Sequence, residues 1–182
     1  WQWLFNTASD TLMDTVMMSA SGNHENYGSY AIEKNYYYSN VPEQDTKSGI
    51  YFSFDYNNVH VAVLNTNDLN DDESLGDAQV EWLIDDMQQS NADWKFVAFH
   101  KAIYSNGSHY KDKDVCKIRD ELCKLMPQLG IDMVFQGHDH VYLRTDSMID
   151  NKVESVTTST AEFNGKEYTV KVNPVGTVYE IS

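Results

Sequence analysis

Three strand-like runs in this chain each lead into a short segment that carries Asn or His: Ser21-Gly22-Asn23-His24-Glu25, Val97-Ala98-Phe99-His100 and Gly137-His138-Asp139-His140. The runs are residues 15–19, 95–99 and 131–135, and short, continuous apolar stretches of this kind read as buried strands. Such a chain is bound to gather metal-competent side chains at one end of a sheet. Glycine at 22 and at 137 allows a sharp turn, so the side chain that follows can point into a shared site. Between the runs, Val80, Leu83, Ile84 and Met87 mark the apolar stripe of a helix over 78–89, with Asp77 as its N-cap. A second helix covers 115–126 and is stopped by Pro127 and Gly130. Residues 50–56 and 59–65 form a hairpin turned at Asn57-Asn58.

The remaining segments carry weaker signals. Residues 1–14 have roughly helical spacing, from Trp1, Trp3, Leu4, Phe5, Leu12 and Met13. Residues 26–48 are polar and Tyr-rich and read as a long loop or short helix. Within them Tyr36, Tyr37 and Tyr38 are taken as loop residues packed on the core, with substrate contact as the other reading. After residue 153, alternating runs at 153–159, 167–172 and 176–181 read as antiparallel strands. The order strand, helix, strand with polar residues at strand ends is an α/β layout, and such sheets collect function at the carboxyl ends of their strands.

The 182 residues, 41 % apolar and 13 % aromatic, suffice for a single domain over 1–182 and argue against disorder. No apolar run of about 18 residues is present to span a membrane. No signal peptide is visible, and the start at Trp1 suggests a processed or shortened form. The net charge of −15 argues against nucleic acid or an anionic membrane as partner. An anionic substrate is compatible with that charge only beside bound cations. Acidity together with many Asn, Tyr, Ser and Thr suits an extracellular or cell-surface protein. Cys116 and Cys123 lie seven apart in the second helix, so they are separated by roughly 10 Å of rise. A bridge needs Cα atoms within about 7 Å, and both are read as core-facing thiols. His60, inside a strand, is read as a packing or surface histidine. The acidic run 68–73 is read as a solvated loop.

Gly22-Asn23-His24-Glu25, Val97-Ala98-Phe99-His100 and Gly137-His138-Asp139-His140, in that order, resemble the last three motif blocks of the calcineurin-like metallophosphoesterases, most closely the purple acid phosphatase branch. Residues 176–179 also look like that family's terminal strand block. The resemblance implies a four-layer β-sandwich flanked by helices. It also implies hydrolysis of phosphate esters at a two-metal centre by attack of a metal-bound hydroxide, with phosphomonoesters ahead of phosphodiesters or nucleotides. Carried over by motif, Asn23, His100 and His138 hold one metal and His140 belongs to the other. His24 acts on the leaving group or phosphoryl oxygens, with Glu25 orienting it. His109, in the loop Tyr104-Ser105-Asn106-Gly107-Ser108-His109-Tyr110, is a second phosphate contact.

The family opens with Asp-x-His or Asp-x-Gly and Gly-Asp blocks, and no such blocks precede Gly22 in this sequence. The first strands are therefore expected to be missing, and Asp68, Asp71, Asp72 and Asp139 lie on other loops than the family's carboxylates. In the complete domain two transition metals (Fe, Zn or Mn) are implied, and in this chain none or one. The rival is a non-catalytic remnant that binds a ligand or partner. Missing strands also suggest dimerisation or strand swapping.

Overall fold

In the computed structural model, which describes residues 2–25, 44–46 and 49–182, the apolar runs at 49–63, 94–98, 133–136 and 178–181 pair into one sheet. In chain order the strands are β1 (Gln44–Thr46), β2 (Gly49–Tyr56), β3 (Val59–Val63), β4 (Trp94–Ala98), β5 (Met133–Gln136), β6 (Leu143–Arg144), β7 (Met148–Ile149), β8 (Lys152–Val153), β9 (Thr158–Phe163), β10 (Lys166–Lys171) and β11 (Val178–Ile181). The helices are α1 (Gln2–Thr7), α2 (Ser9–Asp14), α3 (Asp77–Gln89) and α4 (Lys113–Gln128), with a 3-10 turn at Ser108–Lys111. Seven strands share the main sheet in the order β1-β2-β3-β4-β5-β11-β6. The centre, β3-β4-β5-β11, is parallel, and β1, β2 and β6 pair antiparallel at the flanks.

Parallel neighbours need a crossover, and α3 and α4 provide it. Right-handed crossovers between strands laid down in one direction place both helices on one face. One core accordingly joins Leu83 and Met87 of α3, Ile118, Leu122 and Met126 of α4, and Ala62, Val97, Val134 and Tyr179 of the sheet. Alternate residues line the opposite face, where Phe52 and Val63 pack with Ala20, Phe54, Val61 and Ala98. On that face Phe96 meets Phe135 edge-on with ring centroids 5.8 Å apart. Two apolar faces are the reason these strands read as continuous runs rather than alternating ones. Together they supply a helix layer and a sheet layer of the expected architecture.

The hairpin forms as predicted, with Tyr56 opposite Val59 and Asn57 at φ 59°. Elsewhere the elements shift. Residues 15–19 form no strand and join no sheet among the described residues, and Val16 is 86 % exposed. An apolar run becomes a strand only where a neighbour takes its N–H and C=O groups. Asp77 is the first residue of α3, and Gly76 is its N-cap. Pro127 lies within α4 rather than ending it. The intrahelical bond it cannot make is replaced, because Asp150 N–H donates to Cys123 O at 3.2 Å. The true stop is two residues later. Ile131 N–H donates to Met126 O and Gly130 N–H to Pro127 O, with Gly130 at φ 69°.

The C-terminal strands also differ. β9 begins at Thr158, and β9 and β10 form a separate, largely exposed hairpin. β11 enters the main sheet parallel to β5 instead of pairing with its chain neighbours. The readings placed on residues 26–43 and on Tyr36–Tyr38 lie outside the described residues. Cys123 is buried and Cys116 half-buried, both free.

Candidate active site

β4 and β5 stop side by side, and the chain carries their pairing one step further. Phe99 N–H donates to Phe135 O, and Gly137 N–H donates to His100 O, each at 3.0 Å. Phe99 points into the core, so His100 emerges at the sheet's carboxyl end beside His138. Gln136, buried under this end, accepts Ile103 N–H at 2.7 Å and holds the loop that follows His100. His138 and His140 both take left-handed backbone angles, φ 71° and 51°. Such angles are uncommon outside glycine, and backbone strain of this kind concentrates at functional sites.

Asn23 reaches the same place from a different part of the chain. Glu25 N–H donates to Gly22 O at 3.2 Å, and the Glu25 carboxylate accepts Gly22 N–H at 2.9 Å, closing a tight turn. A Cβ at residue 22 would sit 3.0 Å from both Glu25 Oε2 and His100 Cε1, so any larger residue would push this turn and His100 apart by a few tenths of an ångström. The turn is tied to the sheet by Asn67, whose side-chain amide donates to Gly22 O at 2.9 Å. Asn67 N–H in turn donates to Asn65 Oδ1 at 3.1 Å. The buried Gln79 of α3 accepts Asn65 N–H at 2.7 Å and donates to Asn65 O at 3.1 Å. The sequence reading missed Gln79, Asn65 and Asn67. The signals were there in a polar run straight after a buried strand and a glutamine in an apolar helix face.

His100 Nε2 lies 2.7 Å from Asn23 Oδ1 and 3.0 Å from His138 Nδ1. The His100 and His138 rings cross edge-on at 4.8 Å, and His109 stacks against the far side of the cluster with its centroid 4.2 Å from that of His138. A cavity of about 240 Å³ opens here, lined by Asn23, His24, His100, His109, His138 and His140 together with Ser108 and Asp139. The structure thus brings together six of the seven residues predicted from sequence. Glu25 is outside the cavity lining, and its carboxylate accepts from the Gly22 backbone.

Burial, followed by the neighbouring His138, Lys101, His24 and His140, pushes His100 down to about 4. Burial and then His109 lower His138 too. Both rings are therefore neutral near pH 7 and keep a lone pair, as a metal requires. For Asp139, burial acts to raise the carboxyl, but the Ser105 hydroxyl and His109 N–H outweigh it and hold it below its ordinary range.

The donor set fits a borderline transition metal, which takes imidazole nitrogen with amide or carboxylate oxygen. Two donors each about 2.1 Å from one ion and at right angles are about 3 Å apart, close to the spacing around His100 Nε2. Among the described residues no three His, Cys, Asp or Glu side chains converge closely enough to hold an ion by themselves. The Asn23 amide is therefore needed to complete a set of three.

Residues 2–142 match the profile of the calcineurin-like phosphoesterases, a span that includes all three motif segments. The chain belongs to this family. Among solved structures, the purple acid phosphatase PPD1 from yellow lupin (Lupinus luteus) seeds superimposes with a TM-score of 0.64 at 18 % identity. The match covers 90 % of this chain and 30 % of that one, and it shows a shared fold. Purple acid phosphatase 18 of Arabidopsis thaliana is 32 % identical over 114 residues, 60 % of this chain and 25 % of the relative. An uncharacterized protein of Mycobacterium tuberculosis is 28 % identical over 163 residues, 80 % of this chain and 31 % of the relative. This calcineurin-like chain spans about a quarter to a third of the length of these relatives.

Proposed function

We propose that this chain carries the second half of a phosphate-ester hydrolase site, with phosphomonoesters as the substrate class. The observation that carries the reading is the approach of Asn23 Oδ1 and His138 Nδ1 to His100 Nε2, in a family of phosphoesterases. These three residues would hold one ion, and His140 would serve a second ion completed by carboxylates outside this set. Bound there, such ions supply Lewis-acid polarisation of the phosphoryl oxygens and an activated water. The chain's own residues then position the ester. His24 and His109 face the cavity as hydrogen-bond donors to the phosphoryl oxygens or the leaving oxygen. The Glu25 carboxylate and Asn67 amide keep the Asn23 turn seated, which sets where the donors lie. The net charge of −15 repels phosphate at long range, so capture depends on the local positive field of the loaded site.

That no three His, Cys, Asp or Glu side chains converge on one point among the described residues favours a second reading, a binding module that takes phosphate without turning it over. Elemental analysis after loading with Zn²⁺ or Mn²⁺, followed by assay on p-nitrophenyl phosphate and on a phosphodiester, separates the two. Metal uptake with monoester turnover supports the hydrolase. Metal uptake and phosphate binding with no turnover supports the module. No uptake at all would sink both. The exposure of Trp3, Met13 and Val16 supports self-association of the isolated chain, which sedimentation over a concentration series tests. A secreted location fits the acidic composition and is tested by fractionating the source cells.

A further inference from the structure

We infer that Asp139, the residue between the two cavity histidines, is a positioning residue that holds His109 over the site. The inference rests on the phosphoesterase reading only for what His109 then does. Asp139 Oδ1 accepts His109 N–H at 2.9 Å from a residue 30 positions away in sequence. That N–H opens the 3-10 turn at Ser108–Lys111, where no local side chain caps the orphan donors. Asp139 therefore caps this turn from across the cavity. The loop is fitted to it closely. A Cβ on Gly107 would stand 2.5 Å from Asp139 Cβ and Cγ, so the backbone passes directly over the carboxylate. Gly107 N–H is itself held by Ser105 Oγ at 2.8 Å, which tightens the same bend.

Asp139 is fixed from its own side as well. Its N–H donates to Gly137 O at 2.9 Å, and the left-handed residues His138 and His140 flank it. Its second oxygen, Oδ2, is buried with no hydrogen-bond partner among the described residues. A buried carboxylate oxygen left unpaired is costly. The stacking of His109 on His138 at 4.2 Å is the product of this contact. The His109 ring Nδ1 lies 2.8 Å from the half-exposed carboxylate of Asp112. That pair orients the ring, and Asp112 N–H closes the far end of the turn on His109 O at 2.9 Å, while Asp139 holds the near end through His109 N–H.

The test uses Asp139→Ala, Asp139→Asn and Gly107→Ala in the whole chain, each first checked for a native circular-dichroism spectrum. The readouts are the nuclear Overhauser contact between the His109 and His138 rings in metal-free protein, and inorganic phosphate affinity after Zn²⁺ loading. Asp139→Asn retains the Oδ1 acceptor and should keep both. Asp139→Ala should lose the ring contact and weaken phosphate about tenfold, the size of one lost charge-assisted hydrogen bond. Gly107→Ala leaves the acid in place but forces the loop off it, and should lose the ring contact too. A ring contact that survives Asp139→Ala overturns the inference, as does an Asp139→Asn variant that behaves like Asp139→Ala. If the wild-type protein binds no phosphate, the phosphoesterase reading fails while the ring contact still decides the role of Asp139.

Discussion

At the scale of single residues, the site is built around two imidazoles, His100 and His138, that their surroundings keep neutral. His138 is central, because it meets both His100 and His109. His138→Ala is expected to abolish uptake of Zn²⁺ as followed by calorimetry, while an exposed control such as Lys166→Ala leaves it unchanged. His100 gives a pH signature. Folded metal-free protein holds it at about 4, against about 6.5 in an unfolded chain. Between these values only the unfolded chain takes up the proton, so stability should fall as pH drops through this window and return on raising it. Urea midpoints from pH 7 to 4.5 check the trend, and His100→Gln should flatten it. His60 is a different case. It is buried, with Asp55 and Asp86 each 2.8 Å from a ring nitrogen, and Ser53 Oγ donates to Asp86 at 2.7 Å. Asp86 is 18 % exposed and Asp55 72 %. A double-mutant cycle should find the His60–Asp86 coupling at about 1.5–3 kcal/mol and the His60–Asp55 coupling below about 1 kcal/mol. Sequence alone marked His60 as a packing or surface residue. It could not supply Asp86, which comes from a helix, because that contact exists only once α3 lies on the sheet.

At the scale of elements, α3 does more than cover the core. Its Gln79 satisfies both backbone groups of Asn65, and Asn65 leads through Asn67 to the turn that carries Asn23. Gln79→Leu leaves the Asn65 N–H buried without an acceptor. That should cost about 1–3 kcal/mol in urea unfolding, together with a loss of Zn²⁺ affinity that a core mutation elsewhere does not produce. Leu122→Ala on α4 supplies that comparison, with an expected cost of about 2–5 kcal/mol and intact metal affinity. The β9–β10 hairpin sits at the other extreme, since nearly every residue in it is exposed. Replacing residues 158–171 with a short Gly-containing turn should leave the melting temperature nearly unchanged. Helices and the β2–β3 hairpin were legible because their signals are local, in apolar period and turn residues. The strand at 15–19 was misread for the same reason. Its apolar pattern is real, but pairing is a property of the neighbour.

At the scale of the whole molecule, one ion would link the turn at residues 22–25 to the loops after β4 and β5. A ligand that binds only the folded state raises its stability with concentration. Zn²⁺ at about a hundred times its dissociation constant should stabilise the fold by about 2.7 kcal/mol, seen as a thermal shift absent in His138→Ala. The sequence by itself pointed to the family, to an α/β layout and to the residues that gather at the carboxyl end of the sheet. Those signals are short motifs and periodicities, each complete within a few consecutive residues. The tertiary structure decided which face of the sheet the helices cover, where β11 inserts, and that Gln79, Asn67 and Asp139 support the site. These depend on atoms tens of residues apart coming within hydrogen-bond distance, and no local pattern encodes a distance until the chain has folded.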